Sequence, residues 1–486
     1  MAEQSAETPK DAPLYQKRIP IYTRTVKGRF RRFKTGLLLL AFAVYFLLPW
    51  LPWARPSGAQ QAVMFDMVSR RFFIFDLVIF PQDIFLLSLL LFISAVLLFF
   101  VTGLIGRAWC GYFCFQTLWT DAFMLIEHII QGERPARIRL AKQPWNMEKI
   151  LKIGGARMLM LLISFWTGFT FVAYFNHTPD YLFRFFSGDS VSTAYFSVFA
   201  LTISTFLAGA LAREQVCIYM CPYARFQSVM YEPDTLVPAY NDKRGEGIAG
   251  RIVPRTGVHT LEERHAKGHG DCIDCSYCVQ VCPTGVDIRN GLQYQCISCG
   301  LCIDACNTIM DSLGWERGLI RYDSERNLQQ PVPAKPHLDF MRLKVLGYAG
   351  ALALMVGVLV YNFASRTPFE VRIFQVRQPL FVRMSDETVR NRYEIHLVNK
   401  SQYDENYRVQ AEGIPAEALK MDARNPVHIA AGKDLRFPVK VDLSEHDAKR
   451  VEKFNFIVTP QSHPGAGEVR KVSFDSDEKE HPSQAH

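Results

Sequence analysis

The chain has 486 residues and a formal net charge of +8, and aromatic residues make up 13% of it, with 36 Phe. That length predicts two or three domains; the aromatic content fits a protein that meets lipid better than a freely soluble one, and a mean hydropathy near zero is then an average over apolar spans and polar domains. No Gly-rich nucleotide fingerprint, no Ser/His/Asp arrangement and no nucleic-acid motif is present, so nucleotide-dependent, hydrolytic and nucleic-acid-binding functions are not indicated.

Residues 1–35 are polar and then strongly basic, through Lys17, Arg18, Arg24, Lys27, Arg29, Arg31, Arg32 and Lys34. No cleavable signal peptide is evident, and because the run abuts an apolar span it reads as a cytoplasmic membrane flank. The first span runs from Leu37 to about Trp53, and in the loop that follows Phe65–Phe80 is amphipathic and expected to lie along the membrane surface. The second span covers about Ile84 to Ile105. Next come Arg107-Ala-Trp-Cys110-Gly-Tyr-Phe-Cys114 and a basic loop with Arg134, Arg137, Arg139, Lys142, Lys149, Lys152 and Arg157. The third span is about Met158 to Phe175 and the fourth about Thr193 to Ala212. Arg213 and Cys217-Ile-Tyr-Met-Cys221-Pro222 follow. Residues 223–343 are polar, and 241–270 reads as a linker or flexible loop. The fifth span is about Val345 to Phe363.

Loops rich in Lys and Arg face the cytoplasm. This places the N-terminus, the 106–157 loop and the 213–343 segment inside, and the 54–82 and 176–192 loops outside, so five spans leave the C-terminal region outside. That region alternates apolar and polar residues over Glu370–Val376, Arg390–Val398, Tyr407–Ala411, Val427–Ala430, Leu435–Val441, Phe454–Val458 and Val469–Phe474. About seven short strands at this spacing predict an Ig-like β-sandwich. Residues from about Asp475 on read as a disordered tail.

The most informative stretch is Cys272-x-x-Cys275-x-x-Cys278-x-x-x-Cys282-Pro283, repeated as Cys296-x-x-Cys299-x-x-Cys302-x-x-x-Cys306. Each run has the spacing that wraps a 4Fe–4S cluster in bacterial ferredoxins, with the fourth Cys of each run ligating the other cluster. The expectation is one cluster on Cys272, Cys275, Cys278 and Cys306, and a second on Cys282, Cys296, Cys299 and Cys302. Zinc sites pair Cys-x-x-Cys units across longer loops. Iron–sulfur ligands suit a reducing compartment, which agrees with the orientation drawn from charge. Cys306 is followed by Asn307 where Cys282 has Pro283, which puts only the local turn in question.

Cys110-x-x-x-Cys114 and Cys217-x-x-x-Cys221 form a weaker internal repeat. Each follows a membrane hairpin, has an Arg shortly before it and holds a Tyr (Tyr112, Tyr219) inside it. If the segments are helical, the spacing puts both thiols of a pair on one face. Buried packing is the bland reading; soft thiolates would select copper, zinc or iron–sulfur, so the four are a candidate site for copper or an additional cluster. Met220 is a further soft group, Met158 and Met160 read as packing residues, and His128 and His177 as lone structural histidines. Charged residues near the span ends are expected to snorkel.

The combination of basic N-terminus, five spans, Cys110-Gly-Tyr-Phe-Cys114, Cys217-Ile-Tyr-Met-Cys221-Pro222, paired four-Cys runs and C-terminal β-domain resembles the cytochrome c oxidase accessory protein family CcoG, also called FixG or RdxA. The membrane half is also similar to NapH-type polyferredoxins. The resemblance implies a multi-domain protein of the bacterial inner membrane, with a basic cytoplasmic N-terminus (1–35), a four-helix transmembrane region (36–222), a cytoplasmic two-cluster ferredoxin domain (223–343), a fifth helix (344–364), a periplasmic Ig-like domain (365–476) and a tail (477–486). It implies reduction of Cu(II) to Cu(I) on the cytoplasmic side for assembly of a cbb3-type cytochrome c oxidase. The partners would then be membrane lipid, copper, oxidase assembly factors or a copper transporter, and an electron donor. A quinol-oxidising conduit and a non-catalytic assembly scaffold are the alternatives.

Overall fold

The computed structural model describes residues 20–476 except 57, 81–82, 254–259, 331–333, 366 and 386. The expected tail beyond 476, and Lys17 and Arg18, lie outside the described residues. The chain divides into two units: Met1–Leu47, Leu91–Val172 and Arg184–Met355 form the first, and Leu48–Leu90, Ala173–Phe183 and Val356–His486 the second.

Five helices among the described residues are long and apolar enough to cross a membrane: Arg29–Trp50, Ile84–Ile105, Met147–Ala173, Ser192–Ala212 and Leu343–Ala364. Each has at least the roughly 20 residues that a hydrocarbon core requires, which suggests a membrane protein. None of the apolar window of Ile84–Ile105 is buried against the rest of the protein, and little of Leu343–Ala364 is. Met147–Ala173 is the central helix of the first unit; its Ala156 and Met160 pack with Leu38, Trp119, Phe123 and Ala210. Gly209 allows this approach, since a Cβ there would lie 2.7 Å from the Phe123 ring. Two boundaries differ from the expectation. The first helix begins at Arg29, so Arg29, Arg31, Arg32 and Lys34 are helical and not a flanking tail, and the third begins at Met147, not near Met158.

Charged residues at the helix ends do not all snorkel. Lys34, Arg107 and Arg137 are buried. Glu127 draws in both Arg137 and Arg213, and Asp121 lies 2.8 Å from Arg31 and 3.8 Å from Lys34. Buried carboxylates require such partners, and the sequence alone gives no sign of where those carboxylates sit.

The ferredoxin segment lies in the first unit. Val237–Tyr240 pairs antiparallel with Ile320–Asp323 and so closes off the cysteine runs between them. The expected linker is built into this segment. Asp242–Glu246 is a short helix, Leu261–Ala266 carries a Thr260/Glu263 capping box, and buried Arg264 donates to the carbonyls of Gly270 and Cys272. The capping box is a helix-start signal that the surrounding Gly and charged residues masked.

In the second unit, Phe65–Phe80 is built of strands. It belongs to a three-stranded antiparallel sheet of Val63–Asp66, Arg71–Ile74 and Leu77–Ile79. Phe65 and Phe72 face each other across the first two strands, with their rings 5.6 Å apart. The Ig-like domain has two sheets. One orders Leu419–Met421, Asp434–Ser444, Thr388–Asn399 and Phe369–Gln375, with Val382–Arg383 also on Thr388–Asn399; the other orders Val427–Ile429, Glu405–Glu412, Lys453–Pro460 and Glu468–Ser473. All seven expected strands are present. Alternate residues Tyr393, Ile395 and Leu397 meet Val439, Val441, Phe456 and Val458 in the core.

Candidate functional site

The two cysteine runs fold as backbone repeats. Asp274 and Ser276 in the first loop, and Ser298 and Gly300 at the matching places in the second, all have positive φ, from 50° to 70°. Left-handed residues alternating in this way turn successive N–H groups inward, the arrangement that cradles anionic groups and Fe–S sites. Gly300 also needs its bare Cα, since a Cβ would lie 2.8 Å from the Phe30 ring. The second loop leads into the helix Leu301–Leu313. This helix runs on through Asn307, so the missing proline after Cys306 reflects a helix continuing where the first run turns at Pro283.

The loops line two small cavities, each of about 20 Å3. Cys272, Cys275, Cys278 and Cys306 line the first, with Tyr240 and Arg289; Cys282, Cys296, Cys299 and Cys302 line the second, with Pro238 and Thr284. The fourth cysteine of each run thus crosses into the other cavity. Cys302 and Cys306, one helical turn apart, serve different cavities.

The donor set fits a cluster. All twelve cysteines are free thiols, and among the described residues no three of His, Cys, Asp or Glu come close enough to hold a single metal ion. Each set of four sulfurs surrounds a volume, as a cubane requires and a zinc ion does not. Burial pushes the thiols of Cys278, Cys296 and Cys306 up to about 12, and those of Cys299 and Cys302 upward as well. Such groups ionise only against a bound cation. Backbone N–H groups already face the sulfurs: Val286 N–H donates to Cys282 Sγ at 3.3 Å, and the N–H groups of Ser298 and Ile320 favour the thiolates of Cys296 and Cys306. Cys275 alone of the twelve is exposed.

The other four cysteines also come together, though not on one helical face. Cys110 lies in the short helix Ala108–Tyr112, and Cys114 caps the next helix, Phe115–Gln131; Cys217 lies in the π-helical turn Val216–Met220, and Cys221 caps Pro222–Val229. Charge on Cys114, Cys217 and Cys221 is felt at Cys110, whose thiol burial pushes up to about 12; that of Cys217 rises to about 11. The Cys110 thiol donates to Gln227 Oε1 at 3.1 Å. This quartet rests on the second cavity: a Cβ on Gly111 would lie 2.7 Å from the Ile297 carbonyl, and the Tyr112 hydroxyl donates to the Cys299 carbonyl at 2.9 Å.

The remaining candidates stay outside the cysteine groups. His128 contacts the Met124 and Thr23 carbonyls at 2.7 and 2.9 Å, and His177 pairs with Asp180. Met220 and Met158 are exposed, and Met160 is buried in the apolar core. Sequence reasoning missed Asp304, between Cys302 and Cys306, and the roles of Arg107 and Gly111; an arginine just before each Cys-x-x-x-Cys pair was the one visible signal.

These features define a protein with five helices long and apolar enough to cross a membrane, a two-cluster ferredoxin domain and an Ig-like domain. The 4Fe-4S dicluster domain family matches residues 212–325, the 4Fe-4S binding domain family matches 87–131, and the family described as an IG-like fold at the C-terminal of FixG matches 359–477. The chain is 38% identical over 496 residues to the nitrogen fixation protein FixG of Rhizobium meliloti, covering 93% of this chain and 92% of that one. It is 38% identical to RdxB (86% and 90% covered) and 40% identical to RdxA (82% and 84% covered), both of Cereibacter sphaeroides. The chain belongs to the FixG family.

Proposed function

We propose that this protein is a membrane-bound one-electron conduit. Cys272, Cys275, Cys278 and Cys306 hold one 4Fe–4S cluster, and Cys282, Cys296, Cys299 and Cys302 hold the other. Electrons pass from a cytoplasmic reductant to Cu(II), and the Cu(I) formed serves the assembly of a cbb3-type cytochrome c oxidase. The observation that carries the reading is the crossing of the two runs into two cavities of matching size. A bound cluster supplies single-electron chemistry. The chain's own part is to fix the separation: Cys302 and Cys306 hold the two cavities one helical turn apart. Exposed Cys275 is where a reductant meets the first cavity.

The quartet of Cys110, Cys114, Cys217 and Cys221 is the proposed copper site, with Cu(I) held by two of its thiolates at a time, since no three of them come close enough to share one ion. The thiols of Cys110 and Cys217, which burial pushes upward, lose their protons only against a cation, and a soft univalent ion suits paired thiolates. The excess of Lys and Arg in the N-terminal, 106–157 and 213–343 segments supports a cytoplasmic cysteine-rich region and a periplasmic Ig-like domain. The Rhizobium meliloti relative is named for nitrogen fixation; electron transfer in nitrogen fixation or in an oxidase-related process is the coarser form of the same reading.

Chemically reduced protein mixed anaerobically with Cu(II) tests it. The clusters should reoxidise with one Cu(I) formed per electron lost. Reduced clusters inert to Cu(II), together with oxidised clusters reduced rapidly by a quinol analogue, would replace the copper reading with a quinol conduit. Inertness to both would leave a scaffold.

A further inference from the structure

Arg107 stands where the two cysteine groups meet. It follows Gly106, whose φ of 58° turns the chain off the Ile84–Ile105 helix, and it precedes the short helix of Cys110. Its side chain lies in the interior, with the residue 3% exposed. Nη1 donates to the carbonyl of Tyr294, two residues before Cys296. Nε and Nη2 have no hydrogen-bond partner among the described residues, and no carboxylate there pairs with the guanidinium. Arg213, four residues before Cys217, is by contrast tied to Glu127.

A buried cation without a counter-ion is strongly unfavourable. Thiols lie on both sides of Arg107: Cys110 of the quartet is three residues on, and Cys296 of the second cavity is two residues past the carbonyl that Nη1 holds, and both, with Cys217, feel its charge. Phenols Tyr223 and Tyr231 feel it too, but burial keeps them protonated. The first cavity has its own cation, Arg289, already neutralised by Asp274 and Asp287.

We propose that Arg107 is the shared counter-ion of the quartet and of the cluster on Cys282, Cys296, Cys299 and Cys302. That cluster is therefore the one that faces the quartet and hands its electron to Cu(II), giving Cu(I). The proposal rests on the two-cluster reading. A fixed cation stabilises the more negative, reduced state of a neighbouring cluster, so Arg107 holds this cluster's potential above what its ligands alone would set. Electrons arriving from the first cluster then collect beside the quartet. Arg107 acts here as a positioning residue for charge.

EPR-monitored potentiometry of the full-length protein, without added copper, reads this directly. R107Q should lower the midpoint of one cluster by about tenfold in its one-electron equilibrium, ~59 mV, and leave the other in place. R107K should keep the wild-type value, and R289Q should move the other cluster. Unchanged midpoints in R107Q at full iron content, or R107Q and R289Q moving the same cluster, would overturn the proposal. If R107Q loses iron, R107K decides: full iron with the wild-type midpoint supports the charge, whereas a shifted midpoint or lost iron makes Arg107 a packing residue. Failure of the copper reading shows separately, as reduced clusters inert to Cu(II), and failure of the two-cluster reading as missing iron in the wild type.

Discussion

The main-chain N–H of Arg31 donates to Asp304 Oδ2 at 2.8 Å. A side chain lying between two cysteines of the second run thus caps the first long helix, where unsatisfied N–H groups and the helix dipole both favour a carboxylate. Gly28 comes so close to Asp304 that a Cβ there would collide with its carboxylate. The ferredoxin segment and the Arg29–Leu47 helix are therefore joined by a polar lock, and a fault in one should be felt in the other.

The first prediction follows from that lock. D304A removes the cap and should cost about 1 kcal/mol. G28A should cost more, because the carboxylate has to be displaced. Thermal unfolding of the purified protein checks both. Wild-type midpoints in both variants would show that the contact contributes nothing.

Iron analysis checks the cavities. Anaerobically purified protein should hold about eight iron and eight acid-labile sulfide per chain. C278S should damage the cavity shared with Cys306 and leave the other partly loaded, while C299S should do the reverse. Stoichiometric zinc with little iron would contradict the donor-set argument.

Much of this was legible because ferredoxin spacing is a local code. The positions of eight cysteines within 35 residues, Cys272 to Cys306, already imply a crossing that the cavities repeat. The sandwich was legible for the same reason, since strand alternation is local. What stayed hidden depends on long-range partners. Lys34 and Arg213 look like ordinary flanking charges until Asp121 and Glu127 are placed beside them. The quartet's spacing suggested one helical face per pair, but in each pair the second cysteine is a helix cap, because the chain turns between the two. The strands of Phe65–Phe80 stayed hidden too, because a short apolar stretch carries too few residues to separate a period of two from one of 3.6.

Orientation is the third prediction. A reporter active only outside the cytoplasm should work when fused after Ser476 and stay silent after Gly314. Activity at Gly314 would reverse the assignment and set the cysteine-rich segment in an oxidising compartment, where its thiols would not persist.

The last prediction concerns the quartet as a unit. Cys110, Cys114, Cys217 and Cys221 come from two helical hairpins, yet charge on the other three is felt at Cys110. If they form one site, removing either pair abolishes it, and removing the second pair costs little more, since residues of one site are non-additive. C110S/C114S, C217S/C221S and the quadruple variant should therefore lose Cu(I) binding, and Cu(II)-driven cluster reoxidation, to about the same extent. All three should keep the iron of both clusters, because none of the four cysteines lines either cavity and Ser conserves the size of the Cys110 side chain that packs beside Cys299. Additive losses would divide the quartet into two independent pairs. Full activity of the quadruple variant, with its iron intact, would return the four cysteines to a packing role and move the site of copper reduction onto the exposed edge of a cluster.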